Sequence, residues 1–267
     1  MERDFDLIAP ENPKRQTSDT ISVSTMSCNT AFLAKAWADR AKLNDVERSG
    51  FAQYFYSTIC SHLESELTLH FEQRISDCKM FAENGAVLFK KANSPEEKQN
   101  AKARVAAIRF SLTSILANVS SEVERAPLKR LCQLYGEVFG RTFDVVVGGE
   151  VAQDIRALGS IRNLFAHGRD FFFEFDGVTP SGETPKNLTL DSHSLEDAAR
   201  RLREAGILPA VPFDRSTHDR IRNAFYGDAA LLYFYRAVRQ AEEAVRKDTG
   251  SPIALIFALA QSLPDLD

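Results

Sequence analysis

The chain predicts an all-α fold, a helical bundle with one small β-hairpin inserted after a late helix. Three observations predict it. Apolar residues recur at spacings of three and four over most of the length. Helix-start signals, Asn44-Asp-Val-Glu47 and Ser94-Pro95-Glu96-Glu97, precede two of those stretches. The period becomes strand-like only around the aromatic run Phe171-Phe-Phe-Glu-Phe175 and the segment Asn187-Leu-Thr-Leu190.

The elements follow in order. Residues 1–25 are polar and aperiodic and read as a flexible arm, leaving 26–267 as a single helical domain. A first helix is expected over 29–43. The Asn44 capping box then opens a long helix whose core stripe is Phe51, Tyr54, Phe55, Ile59, Leu63, Leu67 and Phe71. The helix opened at Ser94 carries Val105, Ile108, Leu112, Ile115 and Leu116. A further helix is expected over 121–139, with Pro127 in its first turns or kinking it. A loop over 141–149 ends in Gly148-Gly149, and a helix over 150–166 follows, stopped by Gly168. The hairpin and a short helix, capped at Ser194 and stopped by Gly206, occupy about 171–206. A long helix over 217–247 and a short apolar one over 252–263 complete the chain.

Composition narrows the function classes. The chain has 267 residues, 44% of them hydrophobic, enough for a sizeable core. Its net charge is −4 and its pI about 5.8. A globally basic nucleic-acid binder is therefore excluded, and any RNA contact needs a local patch. Cys28, Cys60, Cys78 and Cys132 are widely spaced and form no C-x-x-C pair. They read as structural thiols in a reducing compartment. The charged stretch 1–14 lacks a signal-peptide core, and no apolar run reaches the roughly 20 residues of a membrane helix. A cytoplasmic protein without membrane contact is expected. No P-loop, H-E-x-x-H, G-x-S-x-G or G-x-G-x-x-G pattern is present. His62, Glu66 and His70 share one side of the long helix, read as a polar side in preference to a metal face. Arg200, Arg201 and Arg203 read as a solvated basic face.

The segment Ile161-Arg-Asn-Leu-Phe-Ala-His-Gly168 carries the most chemistry. An Arg and a His about one and a half turns apart can serve one phosphodiester, the Arg as clamp and the His as proton carrier. Around the helix, Val151, Ile155, Leu158, Ile161 and Phe165 form a buried stripe. Arg156, Ser160, Asn163 and His167 form a polar lane. Ala152, Gly159 and Ala166 form a small-residue lane between them, where another helix could approach closely. Arg162 sits at the edge of the buried stripe, where a core acid such as Glu64 or Glu66 could pair with it. His167 stands in the last turn, where the helix dipole favours its protonated form, and a plain C-terminal cap is the competing reading.

The string Arg162-Asn163-x-x-x-His167, with the Ala166-His167-Gly168 ending, resembles the signature of the HEPN superfamily of helical domains. The specific likeness covers about 150–170, and the general helical plan covers about 40–170 and extends to about 215–247. The resemblance implies a metal-independent endoribonuclease without cofactor, built as a homodimer with the two motifs facing one another. It implies catalytic roles for Arg162, Asn163 and His167, and RNA contacts for Arg156 and Arg169. It implies RNA as substrate, cleaved through its 2′-OH. A toxin or phage-defence effector, held by an antitoxin or a regulatory protein, is the biological role that fits. The string also resembles the mannitol-operon repressor family, which implies a non-catalytic HEPN-like protein acting through protein contacts. A helical oligomerisation module with a structural Arg and His is a third reading. A partial echo at Ile221-Arg-Asn-Ala-Phe-Tyr-Gly227 has Gly where the His would be, and reads as coincidence or packing.

Overall fold

The computed structural model describes residues 5–8, 25–84, 86–89, 94–166, 173–175, 188–190, 193–208, 223–249, 263–264 and 266. The described chain is mostly helical. The elements are β1 (Phe5–Ile8), α1 (Thr25–Asp39) with a 3-10 turn (Arg40–Lys42), α2 (Asp45–Asn84), β2 (Ala86–Phe89), α3 (Pro95–Val123), α4 (Leu128–Phe139), α5 (Phe143–Val147), α6 (Gly149–Ala166), β3 (Phe173–Phe175), β4 (Leu188–Leu190), α7 (His193–Glu204) and α8 (Asp228–Thr249). Among the described residues no helix is long and apolar enough to cross a membrane. The expected C-terminal helix over 252–263 lies almost wholly outside the described residues.

The chain groups into two compact units, Met1–Ser22 with Thr68–Ala126, and Val23–Leu67 with Pro127–Asp267. In the smaller unit β1 pairs antiparallel with β2, with Phe5 opposite Phe89 and Ile8 opposite Ala86. The arm expected over 1–25 thus contains a paired strand. Helix α3 buries Val105 and Val123 but leaves Ile108 and Ile115 exposed. The apolar residues of that helix are thus divided between buried and exposed positions.

In the larger unit α6 is central, packing against α4, α5, α7 and α8. Helix α2 starts at the predicted capping box. The N–H groups of Val46 and Glu47 donate to Asn44 Oδ1 (3.1 and 3.0 Å), and the Asn44 N–H donates to Glu47 Oε2 (2.9 Å). Three of the four orphan donors at the helix start are thereby satisfied. Phe51, Phe55, Ile59, Leu63 and Leu67 are buried as the stripe predicts. Arg40 ties the end of α1 to the start of α8. Its guanidinium lies 3.7 Å from the Trp37 ring centroid, and its Nε donates to Asp228 Oδ2 (2.9 Å).

The helix expected over 121–139 is two helices. Proline lacks an N–H and disfavours helical backbone in the residue before it, so α3 ends at Val123 and Pro127 becomes the N-cap of α4. Gly140, at φ 78°, closes α4 in the left-handed conformation. The loop expected over 141–149 holds the short helix α5, which buries Phe143 and Val147. Gly206, at φ 71°, ends α7 as expected.

The helix expected over 217–247 is broken at Gly227, after the helical residues 223–226, and α8 begins at Asp228. Strands β3 and β4 are antiparallel neighbours, with Phe173 opposite Leu190 and Phe175 opposite Leu188.

Candidate functional site

Helix α6 carries the candidate residues, and its surroundings fix how they point. Asp154, on its buried side, accepts from Arg201 Nε (2.6 Å) and Nη2 (3.4 Å) on α7, and from Tyr233 Oη (2.7 Å) on α8. The hydrogen bond that Arg201 donates to Asp154 holds the Arg201 pKa above its ordinary value. Burial, with that same carboxylate, pushes the Tyr233 phenol up to about 12. Arg201 is buried, so the solvated basic face expected over 200–203 is corrected at that position. Its charge is paid out to Asp154 and Glu204 (2.7 Å) rather than to solvent.

Phe165, near the end of α6, stacks between two tyrosines. Tyr56 lies 6.1 Å away at 22°, and Tyr226 lies 6.3 Å away at 27°. The fully buried Tyr56 donates its hydroxyl to the Phe225 carbonyl (2.6 Å), and burial raises its pKa. The echo segment around Phe225 is therefore a packing element for the end of the motif helix.

Arg162 lies at the centre of a small ionic arrangement. Its Nη2 donates to Glu64 Oε2 (3.4 Å) and its Nη1 to Asn163 Oδ1 (3.3 Å). The side chains are partly covered, 29% exposed for Arg162 and 18% for Glu64. Glu64 has a second task, because its Oε1 accepts from the Leu128 N–H (2.9 Å) in the first turn of α4. A carboxylate there meets an unsatisfied donor and the positive end of the helix dipole. Of the two acids expected as partners of Arg162, Glu64 is the one in place. Glu66 instead accepts from Arg246 Nε (2.7 Å) on α8.

The polar lane faces outward. Arg156 and Asn163 are exposed and Ser160 is half-buried. Arg156 is not a free cation: its Nη1 and Nη2 donate to the two oxygens of Asp144 on α5 (2.8 and 3.0 Å). Two arginines expected to meet phosphate, Arg156 and Arg162, thus each have a carboxylate in contact. His167 and Arg169 lie outside the described residues, as do Gly168 and the aromatic residues Phe171 and Phe172. In the small-residue lane Ala152 is buried and Ala166 exposed. Among the described residues nothing lies within 4 Å of where a Gly159 Cβ would stand, so no described element makes the close approach expected there.

Two thiols neighbour the arrangement. Burial pushes Cys60 up to about 12, with Glu64 adding to the shift and Arg162 opposing it. Burial likewise pushes Cys132 up to about 12, with Arg156 opposing. Both are neutral, weakly nucleophilic thiols at neutral pH.

The polar side of α2 that bears His62, Glu66 and His70 is buried. His62 Nε2 lies 3.6 Å from Glu242 Oε2, and Arg246 pairs with both Glu242 and Glu66. Among the described residues no three His, Cys, Asp or Glu side chains are grouped to hold a metal ion.

Asp144 and Asp154 escaped the sequence reading. Asp154 falls within the apolar stripe of α6, and a carboxylate in such a stripe signals a buried cation partner. Asp144 sits in a five-residue helix too short to show a period. No family model, curated protein or solved structure matches the chain.

Proposed function

We propose that the chain is a HEPN-like helical domain with a hairpin insertion after the motif helix, acting as a metal-independent endoribonuclease. The observation that carries this reading is the outward polar lane of α6. Asn163 of that lane accepts from Arg162, which stands at the border of the buried stripe near the helix end, and His167 follows Ala166 directly in sequence. Glu64 orients Arg162 without burying it fully, so part of the fork is open to a phosphate. In this scheme the ribose 2′-oxygen attacks phosphorus and loses its proton to a base. The P–O5′ bond breaks, and the departing oxygen takes a proton from an acid. His167 fills one of these proton-transfer roles, an effect of about 100- to 10,000-fold. Arg162 holds the scissile phosphate and the charge that develops on it. Asn163 orients His167 or the phosphate. Arg156, on exchanging Asp144 for phosphate, and Arg169 extend the RNA contact. The products are a 2′,3′-cyclic phosphate and a 5′-OH. Two copies facing across the Gly159 and Ala166 part of the small-residue lane complete the cleft, Ala152 being buried within each copy, and Gly159 leaves room for that approach. A toxin or defence role, restrained by an antitoxin or a regulatory protein, fits such an activity.

One observation favours a second reading. Arg162 and Arg156 are both engaged by carboxylates, which suits a non-catalytic regulatory protein of the mannitol-operon repressor type. Cleavage of total cellular RNA in EDTA separates the two. The nuclease reading expects cyclic-phosphate ends from the full chain and loss of cleavage in His167→Ala and Arg162→Ala. Equal cleavage by the folded variants removes those residues from catalysis. No cleavage by any of the proteins favours the regulatory reading.

A further inference from the structure

The smaller unit carries a surface that this chemistry does not use. On α3, residues Arg104, Ile108, Ser111, Ile115, Asn118 and Glu122 recur at alternating spacings of four and three, which places them on one side of the helix. All six are exposed, Ile108 at 48% and Ile115 at 57%. The buried positions Val105 and Val123 lie about 100° around the helix from the middle of this strip. The exposed Phe110 lies on another side and is not part of it.

The strip has a cation at one end, an anion at the other, and two isoleucines between them set among short polar side chains. Turned end for end it matches itself. Arg104 then meets Glu122, Ile108 meets Asn118, and Ser111 meets Ile115. Each isoleucine falls beside a smaller side chain, the ridge-into-groove condition for helix packing. The two-fold symmetry makes the Arg104–Glu122 pair twice, at ends about 27 Å apart. A parallel arrangement would set Arg104 against Arg104 and Glu122 against Glu122. We propose that this side of α3 is an antiparallel self-association surface, and that its occupant is the same strip of a second copy. The proposal is independent of the α6 reading and of any cleavage activity.

Sedimentation velocity of the full chain over a wide concentration range, at low and high salt, tests it. Wild type is expected to associate reversibly, and less at high salt. Arg104→Glu and Glu122→Arg each place like charges in contact at both ends, weakening association by about tenfold or more. The double variant R104E/E122R restores opposite pairing and returns association to the wild-type level. That rescue distinguishes a lost contact from a damaged helix. A monomer at every concentration overturns the proposal. So does association indifferent to the single charge changes, or a double variant no better than the singles.

Discussion

Glu64 joins two jobs in one carboxylate, and separating them gives a quantitative test. Glu64→Ala removes the acceptor for the Leu128 N–H, the charge at the α4 N-terminus and the partner of Arg162. A lost capping acceptor costs about 1 kcal/mol. The dipole interaction adds about 0.5 kcal/mol. The ion pair, long at 3.4 Å and partly open to solvent, adds about 0.5 kcal/mol after screening. The total is about 2 kcal/mol. Glu64→Gln keeps an oxygen for Leu128 and loses only the charge terms, about 1 kcal/mol. Arg162→Ala loses the ion pair and a long, exposed hydrogen bond to Asn163, about 0.5 kcal/mol together, because Glu64 keeps its place at the helix end. The order of destabilisation is therefore Glu64→Ala, then Glu64→Gln, then Arg162→Ala. Urea unfolding followed by circular dichroism at pH 7 resolves these differences if the slopes agree. Equal losses for Glu64→Ala and Glu64→Gln would refute the capping role. A larger loss for Arg162→Ala than for Glu64→Ala would refute the geometry as a whole.

The buried Asp154–Arg201 pair gives a larger effect. Asp154→Ala takes away the buried carboxylate of Arg201 and leaves the half-exposed Glu204 as its close partner, lowering stability by about 3 kcal/mol, whereas the apolar double replacement D154L/R201M recovers much of that loss, both read from denaturant midpoints. Gly159→Ala meets open space and gains helix propensity, so the isolated chain is stabilised by about 0.5–1 kcal/mol; a lower thermal midpoint for the monomer would contradict the open lane. The Cys60 thiol, raised from 9.0 to about 12, stabilises the fold fully below pH 9 and loses that contribution as pH rises from 9 towards 12. Cys60→Ala flattens this part of the stability profile, and a wild-type profile already flat over pH 9–11 would show that the thiol is not held neutral.

Local chemistry was the legible part of the fold. The Asn44 box depends on residues three apart, and the structure forms both of its reciprocal hydrogen bonds. The stripe on α2 follows from helical spacing alone, and Phe55, Ile59 and Leu63 occupy the core. Relations between distant segments were less visible. Glu64 and Arg162 stand 98 positions apart, and the pairing was legible only as a choice between two acids. Asp154 and Arg201 are 47 positions apart, and a helical wheel shows a misplaced carboxylate without naming its partner. Spacing left open which apolar residues of α3 are covered, Val105 being buried and Ile108 and Ile115 exposed, because it records which residues share a side and not what lies over it. At the candidate site the arginine and asparagine were legible from the motif. The carboxylates that engage Arg162 and Arg156 come from other helices, and only the fold brings them there.

The stacking of Phe165 between Tyr56 and Tyr226 has a dynamic consequence. The end of α6 is held by a helical turn, residues 223–226, that is separated from α8 by Gly227. If that turn detaches, Phe165 loses one aromatic face and Tyr56 loses the acceptor of its buried hydroxyl in the same event. The backbone amides around Asn163 to Ala166 and those around Phe225 and Tyr226 should then exchange with solvent as one cooperative group. Opening of the region that bears the motif would be governed by a segment about sixty residues later in the chain, and not by the strength of its own helix.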